Sequence, residues 1–213
     1  MKRIFLFAII ILLLFISGSG AWYMSRLHKN SYTTLRAAAP TIGQSTLLKL
    51  SLHVPEAISF AEKKHFNTEV CFFVDMSVAS GNCRFFVYDM KKKQVRMKGL
   101  VTHGRCRQDW LNGRKYGNMV GCGCTSLGRY KIGNPYKGKF GLAYKLYGLD
   151  SSNSNAYNRF VVLHSHQCVP EQEVAPSPIC QSDGCPTVSP AFLQELAGVI
   201  NVSHRPILLW ILP

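Results

Sequence analysis

The sequence predicts a mainly β fold with a few short α-helices over residues 68 to 213. From residue 69 onward, short runs rich in Val, Phe, Tyr and Ile alternate with stretches rich in Gly, Asn, Ser and Asp, which is typical of strands joined by turns. Helical periodicity is confined to two short segments. The chain has 213 residues, of which 47% are hydrophobic, and this is enough for one core of ordinary size.

The first predicted helix lies ahead of the strands. The stretch PEAISFAEKKHF, residues 55 to 66, begins with a proline and spaces Ala57, Ile58 and Ala61 on one face. Proline is favoured in the first turn of a helix, and the late lysine pair suits its carboxyl end. We therefore expect a short amphipathic helix here.

The next segments predict a β-hairpin followed by a third strand. EVCFFVDMS at 69–77 and CRFFVYDM at 83–90 flank VASGN at 78–82, and two β-rich runs around a turn-rich stretch favour a hairpin. Lys91, Lys92 and Lys93 follow in a solvated turn. QVRMKGLVTH at 94–103 alternates apolar and basic residues and indicates another strand.

The second half continues this alternation of strands and loops. Residues 104 to 139 are rich in Gly and polar residues and are predicted to be loops with one short strand. SPAFLQELAGVI at 189–200 has a Ser cap and Pro at the first helical position, which predicts a helix. Strands are predicted at SLGRYKIG (126–133), FGLAYKLYG (140–148), RFVVLH (159–164) and RPILLWIL (205–212).

The N-terminus predicts export. MKR is followed by an uncharged apolar run at 4–16 and by SGSGA at 17–21, the pattern of a signal peptide. The run of 13 residues is short for a bilayer core of roughly 30 Å, but extension to Met24 would allow an uncleaved anchor. We expect export to the periplasm or cell envelope, either with the leader cleaved or with an uncleaved leader that tethers the protein to the inner membrane.

Three parts of the chain follow from these patterns. Residues 1–21 are a predicted signal peptide or N-terminal membrane anchor. Residues 22–67 are a linker with a short helical segment, and residues 68–213 are the β domain.

The charge balance favours an anionic partner. Lys and Arg number 25 against 11 for Asp and Glu, a formal net charge of +14. Such a surplus suits nucleic acid, anionic lipid or an acidic polymer. The sequence has neither a basic low-complexity tail nor a repeated aromatic and basic stripe, so nucleic acid is not predicted as the partner.

Export predicts disulfides among the cysteines. Cys168 and Cys180 bracket a proline-rich loop that a bridge would close. Cys71 and Cys83 lie on opposite arms of the predicted hairpin and could face each other. If one of the eight cysteines is a catalytic thiol, at least one more is unpaired or paired between chains. The eight are Cys71, Cys83, Cys106, Cys122, Cys124, Cys168, Cys180 and Cys185, and Cys122 and Cys124 are expected to pair elsewhere than with each other.

The candidate site combines a strand end with a glycine turn. In RFVVLHSHQC, His164 falls at the end of the predicted strand, and His166 follows on the same side. In QSDGCPTVSP, Gly184 before Cys185 permits a sharp turn, beside Ser182, and the amides of this turn could hold an oxyanion. An imidazole beside Cys185 would favour its thiolate and later protonate a leaving amine.

Zinc binding is the alternative chemistry of the same residues. HSHQC followed by Cys180 and Cys185 offers two imidazoles and three sulfurs. The two-residue steps of His164, His166 and Cys168 resemble an extended strand more than a zinc knuckle. If Cys185 is instead a nucleophile, no metal or organic cofactor is predicted.

Together, VVLHSH and SDGCPTVSP resemble the active-site core of the murein L,D-transpeptidase catalytic-domain family. FFVDMS, RFFVYDM, GLVTHG, KFGLAYKLYGLD and PILLWI extend the resemblance over most of residues 68 to 213. It implies a mixed β-sheet of sandwich or barrel-like form. It also implies His164 as general base with Ser165 as its neighbour, and Ser182, Gly184 and Cys185 as the nucleophile motif.

Two residues depart from the family pattern. Asp183 stands where the Ser-His-Gly-Cys motif has His, and Thr187 stands where an Arg often follows the cysteine. The resemblance implies that this Arg recognises the carboxylate of the stem peptide, so another basic side chain would have to do so here. His166 is the competitor of His164 for the role of base.

The resemblance implies an acyl transfer on peptidoglycan. Cys185 would attack the third-residue carbonyl of a stem tetrapeptide and release D-alanine. An amine from a second stem, or water, would then resolve the acyl-enzyme. Its partners would be stem peptides and the cell-envelope or inner-membrane surface. The alternatives are a non-catalytic wall-binding or assembly protein and a zinc-stabilised exported domain. Tyr144, Tyr147 and Tyr157 are expected either to line the cleft or to pack between strands.

Overall fold

A computed structural model describes residues 42–213 of the chain. Residues Gln44–Pro213 form one compact unit. The predicted signal peptide or anchor at 1–21, and the part of the predicted linker up to residue 41, lie outside the described residues.

The mainly β prediction is confirmed, since residues 42–213 form an eight-stranded mixed sheet accompanied by two α-helices. The helices are α1 (Gln44–Lys63) and α2 (Pro190–Ile200), and a 3-10 turn spans Ser151–Asn153. The sheet order is β3-β2-β1-β8-β4-β5-β6-β7. The strands are β1 (Val70–Asp75), β2 (Phe85–Asp89), β3 (Gln94–Gly99), β4 (Gly128–Gly138), β5 (Gly141–Gly148), β6 (Val162–Ser165), β7 (Thr187–Val188) and β8 (Leu208–Leu212).

The predicted hairpin at the start of the domain is confirmed. β1 and β2 pair antiparallel, and β2 continues into β3 through an exposed turn that carries Lys91, Lys92 and Lys93. On its other side β1 pairs parallel with β8, the last strand of the chain. All residues of β1 and β8 are buried, which agrees with their nearly continuous apolar sequences.

Helix α2 covers one face of the sheet and completes the main core. The predicted cap is confirmed, since Ser189 Oγ accepts a hydrogen bond from the Phe192 amide and Pro190 opens the helix. The Phe192 ring meets Phe85 edge-on, with centroids 5.5 Å apart, and Phe85 meets Phe72 at 5.6 Å. Such edge-to-face pairs add to the stabilisation from burial.

Helix α1 is longer than the sequence predicts. It begins at Gln44 rather than at residue 55, and Pro55 lies inside it. Pro55 is on the exposed side, where the carbonyl that loses its helical hydrogen bond can bind water. The helix contacts the sheet through Phe60, whose ring lies 4.7 Å from the Arg129 guanidinium carbon. Neither helix in the described part of the chain is both apolar enough and long enough to cross a bilayer.

Several strands differ from their predicted extent. β3 ends at Gly99 rather than at residue 103, and β6 is Val162–Ser165 rather than 159–164. The strand predicted at 126–133 is the eleven-residue β4, which continues past Pro135 to Gly138. The two-residue β7, Thr187–Val188, was not predicted. It pairs parallel with β6, and this long-range pairing brings the segment after Cys185 beside His164.

Candidate active site

A turn that requires glycine positions Cys185. Gly184 is buried and has φ +107°, a conformation that side chains strongly disfavour. A Cβ at position 184 would lie 2.6 Å from the Cys124 carbonyl oxygen. Ser182 Oγ accepts from the Gly184 amide at 3.2 Å and donates to the Cys185 carbonyl at 2.7 Å. The Gly184 amide is therefore engaged within the turn, and it is not free for an oxyanion.

Two threonines fix the backbone around Cys185. Thr102 Oγ1 donates to the Cys185 carbonyl at 3.2 Å and accepts from the Thr187 amide at 3.2 Å. The Thr102 amide in turn donates to the Thr187 carbonyl. These contacts join the segment after β3 to β7. Thr102 was not among the predicted site residues, because nothing in its local sequence indicates a contact 83 residues away.

His164 is held as a neutral imidazole with its acceptor nitrogen toward Thr187. Nδ1 lies 3.0 Å from the Ser165 carbonyl oxygen, and a carbonyl only accepts, so Nδ1 carries the proton. Nε2 lies 3.0 Å from Thr187 Oγ1 and accepts from that hydroxyl. Burial lowers the pKa of His164, and the neighbouring His166 lowers it further. Ser165 thus acts on the ring through its backbone carbonyl.

The Cys185 thiol is free and half-buried. Its Sγ donates to the Phe160 carbonyl at 3.7 Å, so in this conformation its contact is with that carbonyl. Burial raises the pKa of the thiol, whereas a backbone hydrogen bond from Val162 and the charge of Arg159 lower it.

Cys185 and His164 line one cavity of about 380 Å³. The Phe140 ring forms one wall: it stacks on His164 with centroids 5.1 Å apart and meets His166 edge-on at 5.2 Å. The cavity is therefore lined by Cys185, His164, His166 and Ser182. Ser165 and Gly184 are not in the lining, but their backbones bond to His164 and Ser182. Phe140, in the turn between β4 and β5, was not among the predicted site residues either.

Asp183 and Arg105 form an ion pair at the mouth of this cavity. Arg105 Nε lies 2.8 Å from Asp183 Oδ1, with side chains 42% and 73% exposed. Both residues line the cavity. Asp183, which replaces the histidine of the family motif, thus pairs with a cation. Arg105 is thus a basic side chain in the lining of the cavity.

Arg159 lies behind the nucleophile turn. Its guanidinium donates to the carbonyls of Gly117 and Cys124 and to Ser126 Oγ. It holds together the loop of residues 117–126 and the floor under Gly184. Arg159 is the first residue of the predicted strand RFVVLH, and its role could not be derived from its spacing.

The cysteines pair as Cys168–Cys180 and Cys106–Cys124. The first bridge confirms the prediction for the proline loop. The expected facing of Cys71 and Cys83 is wrong, because Cys71 lies opposite Tyr88 in the β1–β2 register and both thiols are free. The expected pairing with another cysteine is confirmed for Cys124 but wrong for Cys122, whose thiol is free.

Of the two alternatives for the tyrosines, packing applies, and none of the three lines the cavity. Tyr144 is fully buried in the core, because alternate residues of β5 point to opposite faces. Tyr147 and Tyr157 stack on each other, 5.3 Å apart, at a distance from the cavity lining.

The structure argues against the zinc hypothesis, because two of its candidate sulfur ligands, Cys168 and Cys180, form a disulfide. Within residues 42–213, no group of three or more His, Cys, Asp or Glu side chains is arranged to hold a metal ion.

His103, expected to be a loop histidine, lies in a loop but is buried. Its Nδ1 is 3.1 Å from Nη2 of the fully buried Arg84. Burial and the charges of Arg84 and Arg114 lower the pKa of His103 to about 4. It is separate from Cys185 and supports the loop that carries Thr102.

A free thiol and an imidazole therefore line one cavity on a mixed sheet, and these are the two groups that thiol-dependent acyl transfer uses. Residues 44–208 match the family model described as the L,D-transpeptidase catalytic domain. The chain belongs to this family.

Solved structures of related proteins match only distantly. The helical cell shape determining protein Pgp2 of Campylobacter jejuni is 12% identical, with a TM-score of 0.42, over 67% of this chain and 46% of that one. An L,D-transpeptidase from Mycobacterium smegmatis is 14% identical, with a TM-score of 0.40, over 68% and 59%. The chain thus spans about half the length of the solved proteins it matches. No curated protein gave a match.

Proposed function

We propose that this chain is an exported peptidoglycan L,D-transpeptidase with Cys185 as nucleophile. The thiolate attacks the carbonyl of the third residue of a stem tetrapeptide. The peptide bond to D-alanine breaks, and a thioester forms. The amine of a second stem then attacks the thioester, which yields a 3-3 cross-link and frees the thiol.

The observation that carries this proposal is the free Cys185 thiol in one cavity with a neutral His164. The tautomer that the Ser165 carbonyl selects leaves Nε2 as the basic nitrogen, and the lowered pKa keeps it unprotonated at neutral pH. Both features suit a general base. Proton transfer requires Sγ to leave the Phe160 carbonyl and the Thr187 hydroxyl to release Nε2, so that the thiol can reach the imidazole. Catalytic hydrogen bonds often tighten only when substrate binds.

The developing oxyanion needs a donor that the turn does not already use. Since the Gly184 amide is bonded to Ser182 Oγ, we assign this role to the amide of Cys185 itself. The hydroxyls of Ser182 and Thr102 hold the Cys185 carbonyl and so fix the plane of the next peptide.

Two features support export. The family acts on peptidoglycan, a polymer of the cell envelope, and two disulfides stabilise the domain. Disulfides form and persist in oxidising compartments. The predicted leader at 1–21 would deliver the domain there, and the surplus of cations suits an anionic envelope.

The test is incubation of the purified full-length chain with a disaccharide tetrapeptide, followed by mass spectrometry. We expect a dimer that has lost one D-alanine. A tripeptide alone would identify water as acceptor and the activity as that of an L,D-carboxypeptidase. Cys185→Ala should release no D-alanine while keeping the wild-type melting temperature, and a penem should add its mass to the wild-type thiol only. Full turnover by the alanine variant would overturn the assignment.

A non-catalytic wall-binding role is the second candidate. The direction of the thiol toward the Phe160 carbonyl, and the Asp183 substitution, favour it. It predicts that the wild-type chain sediments with purified sacculi, leaves stem masses unchanged, and takes up no penem.

A further inference from the structure

The sheet face that carries His164 also carries an array of tyrosines and lysines. In the β5–β6 pairing, Ala143 lies opposite His164 and Lys145 lies opposite Val162, while the intervening Tyr144–Leu163 pair faces the core. Residues that alternate along a strand share a face. Residues 145 and 147 of β5 therefore project on the same side as His164.

The members of this array contact one another, and we call them the tyrosine–lysine ladder. Lys131 is paired with Tyr147 across β4 and β5 and places Nζ 4.7 Å from the ring centroid. Tyr147 stacks on Tyr157 with centroids 5.3 Å apart and planes 13° apart. Lys145 Nζ lies 5.4 Å from the Tyr157 ring and 5.8 Å from the Tyr136 ring.

The ladder is exposed to solvent, and its lysines form no ion pairs with acidic side chains of the described residues. The residues Tyr157 and Tyr136 are 52% and 37% exposed, and Lys145 is exposed as well. Among the ion pairs of residues 42–213, none involves Lys131 or Lys145. Cations without acidic partners beside exposed aromatic rings present a surface for an anionic ligand.

A cleft of about 610 Å³ adjoins the ladder and shares Lys131 and Tyr147 with it. Its other lining residues include Asn134, Asn201 and Arg205, and no carboxylate side chain lines it. Amide side chains can both donate to and accept from hydroxyls. The cleft therefore offers polar, cationic and aromatic groups at one place.

The two sites are connected along the strands. From Ala143, beside His164, to Tyr147 is four residues of β5, roughly 13 Å. At the cavity end, the Lys139 Nζ lies 5.5 Å from the centroid of the Phe140 ring that stacks on His164. A polymer lying along this face would reach from the cleft to the nucleophile cavity.

We propose that the ladder and its cleft bind a saccharide chain that carries carboxylates, the glycan strand of the wall polymer. Tyrosine faces would pack against the sugar rings, amides would bond their hydroxyls, and the lysines would attract the carboxylates. The identity of the polymer rests on the proposed function, whereas the requirement for an anionic saccharide rests on the ladder itself. Binding here would hold the strand while its stem peptide enters the Cys185 cavity.

The experiment measures binding of the full-length chain to soluble glycan strands whose stem peptides have been removed by an amidase. All proteins carry Cys185→Ala, so that the result does not depend on turnover. The test variants are Lys131→Gln with Lys145→Gln, and Tyr157→Ala. The matched control is Lys92→Gln with Lys93→Gln, which removes the same charge from the exposed β2–β3 turn.

We expect each ladder variant to weaken binding about tenfold, since exposed cationic and aromatic contacts are individually modest. The control should bind like the parent, and all should melt at the parent temperature. Equal loss in ladder and control variants would overturn the proposal, because the attraction would then be general. Equally tight, ladder-dependent binding of single-stranded DNA would overturn it as well.

Failure of this inference is distinguishable from failure of the proposed function. If the wild-type chain releases D-alanine but the ladder variants bind glycan normally, only the inference fails. If no chain turns over but the ladder variants lose glycan binding, the transpeptidase proposal fails and the inference stands.

Discussion

Phe140 lies face to face with His164, with ring centroids 5.1 Å apart and planes 16° apart. The phenyl ring covers one side of the imidazole and thereby contributes to the burial that lowers the pKa of His164. It thus links the β4–β5 turn to the protonation state of the proposed base.

Phe140→Ala should shift the acid limb of the pH–rate profile upward. The folded-state pKa of His164 is lowered, so activity that needs the neutral ring persists as the pH falls below the ordinary histidine value. Removing the phenyl ring lets water reach the imidazole and raises its pKa toward that value. The measurement is D-alanine release between pH 4 and 8, with Phe140→Leu as a partial replacement. An unmoved acid limb in the alanine variant would refute the role of Phe140.

Gly184→Ala should inactivate and destabilise the protein. The φ of +107° is strained for alanine, and the new Cβ would meet the Cys124 carbonyl at 2.6 Å. We expect a loss of about 2 kcal/mol or more in the free energy of unfolding, measured by urea denaturation. Gly198→Ala is the control, because a Cβ there would have no neighbour within 4 Å in helix α2. That change should instead stabilise by about 0.5–1 kcal/mol.

Substitutions that remove the charges of Arg159 and Asp183 should change the reactivity of the Cys185 thiol in opposite directions. The charge of Arg159 lowers the pKa of the thiol and that of Asp183 raises it. Arg159→Gln should therefore slow alkylation of Cys185 by iodoacetamide near pH 8, and Asp183→Asn should accelerate it. Alkylation is followed on the peptide that contains Cys185, since three other thiols are free.

Arg159→Lys separates charge from architecture, because it retains the cation but loses the planar guanidinium that bonds Gly117 and Cys124. Retained reactivity in this variant would assign the effect to charge. Identical shifts for Arg159→Gln and Asp183→Asn would contradict the electrostatic account.

Local sequence patterns predicted most of the secondary structure and the centre of the candidate site. The turn at residues 78–82 and the Ser189 cap are formed by neighbouring residues, so the hairpin and α2 follow from local chemistry. The start of α1 was misplaced because proline is more common at helix starts than inside helices. In α1, Pro55 destabilises the helix less than a buried proline would, because the carbonyl that loses its hydrogen bond can bind water.

The parts that the sequence could not predict depend on distant pairing. β7 has two residues, too few for a periodic signal, and exists because β6 offers an edge. Thr102 and Arg105 reach the cavity through the Gly104–Ser182 bridge. The tyrosine–lysine ladder was missed in the same way, since its residues come from two strands and a loop and form no stripe in the sequence.

The Cys168–Cys180 bridge should stabilise the domain and order one side of the cavity. It closes a loop with a sequence separation of 12, for which the chain-entropy model gives about 3 kcal/mol. The loop ends at Gln181 and Ser182, which line the cavity. Cys168→Ala with Cys180→Ala should thus lower the melting temperature by roughly 6–12 °C. At 20 °C it should also reduce D-alanine release by more than the unfolded fraction of the variant accounts for. Cys122→Ser, which removes a free thiol, is the control and should change neither. An unchanged melting temperature in the double variant would show that the proline loop is held by its other contacts, such as the hydrogen bonds from the Val174 and Ala175 amides to the Gly81 carbonyl.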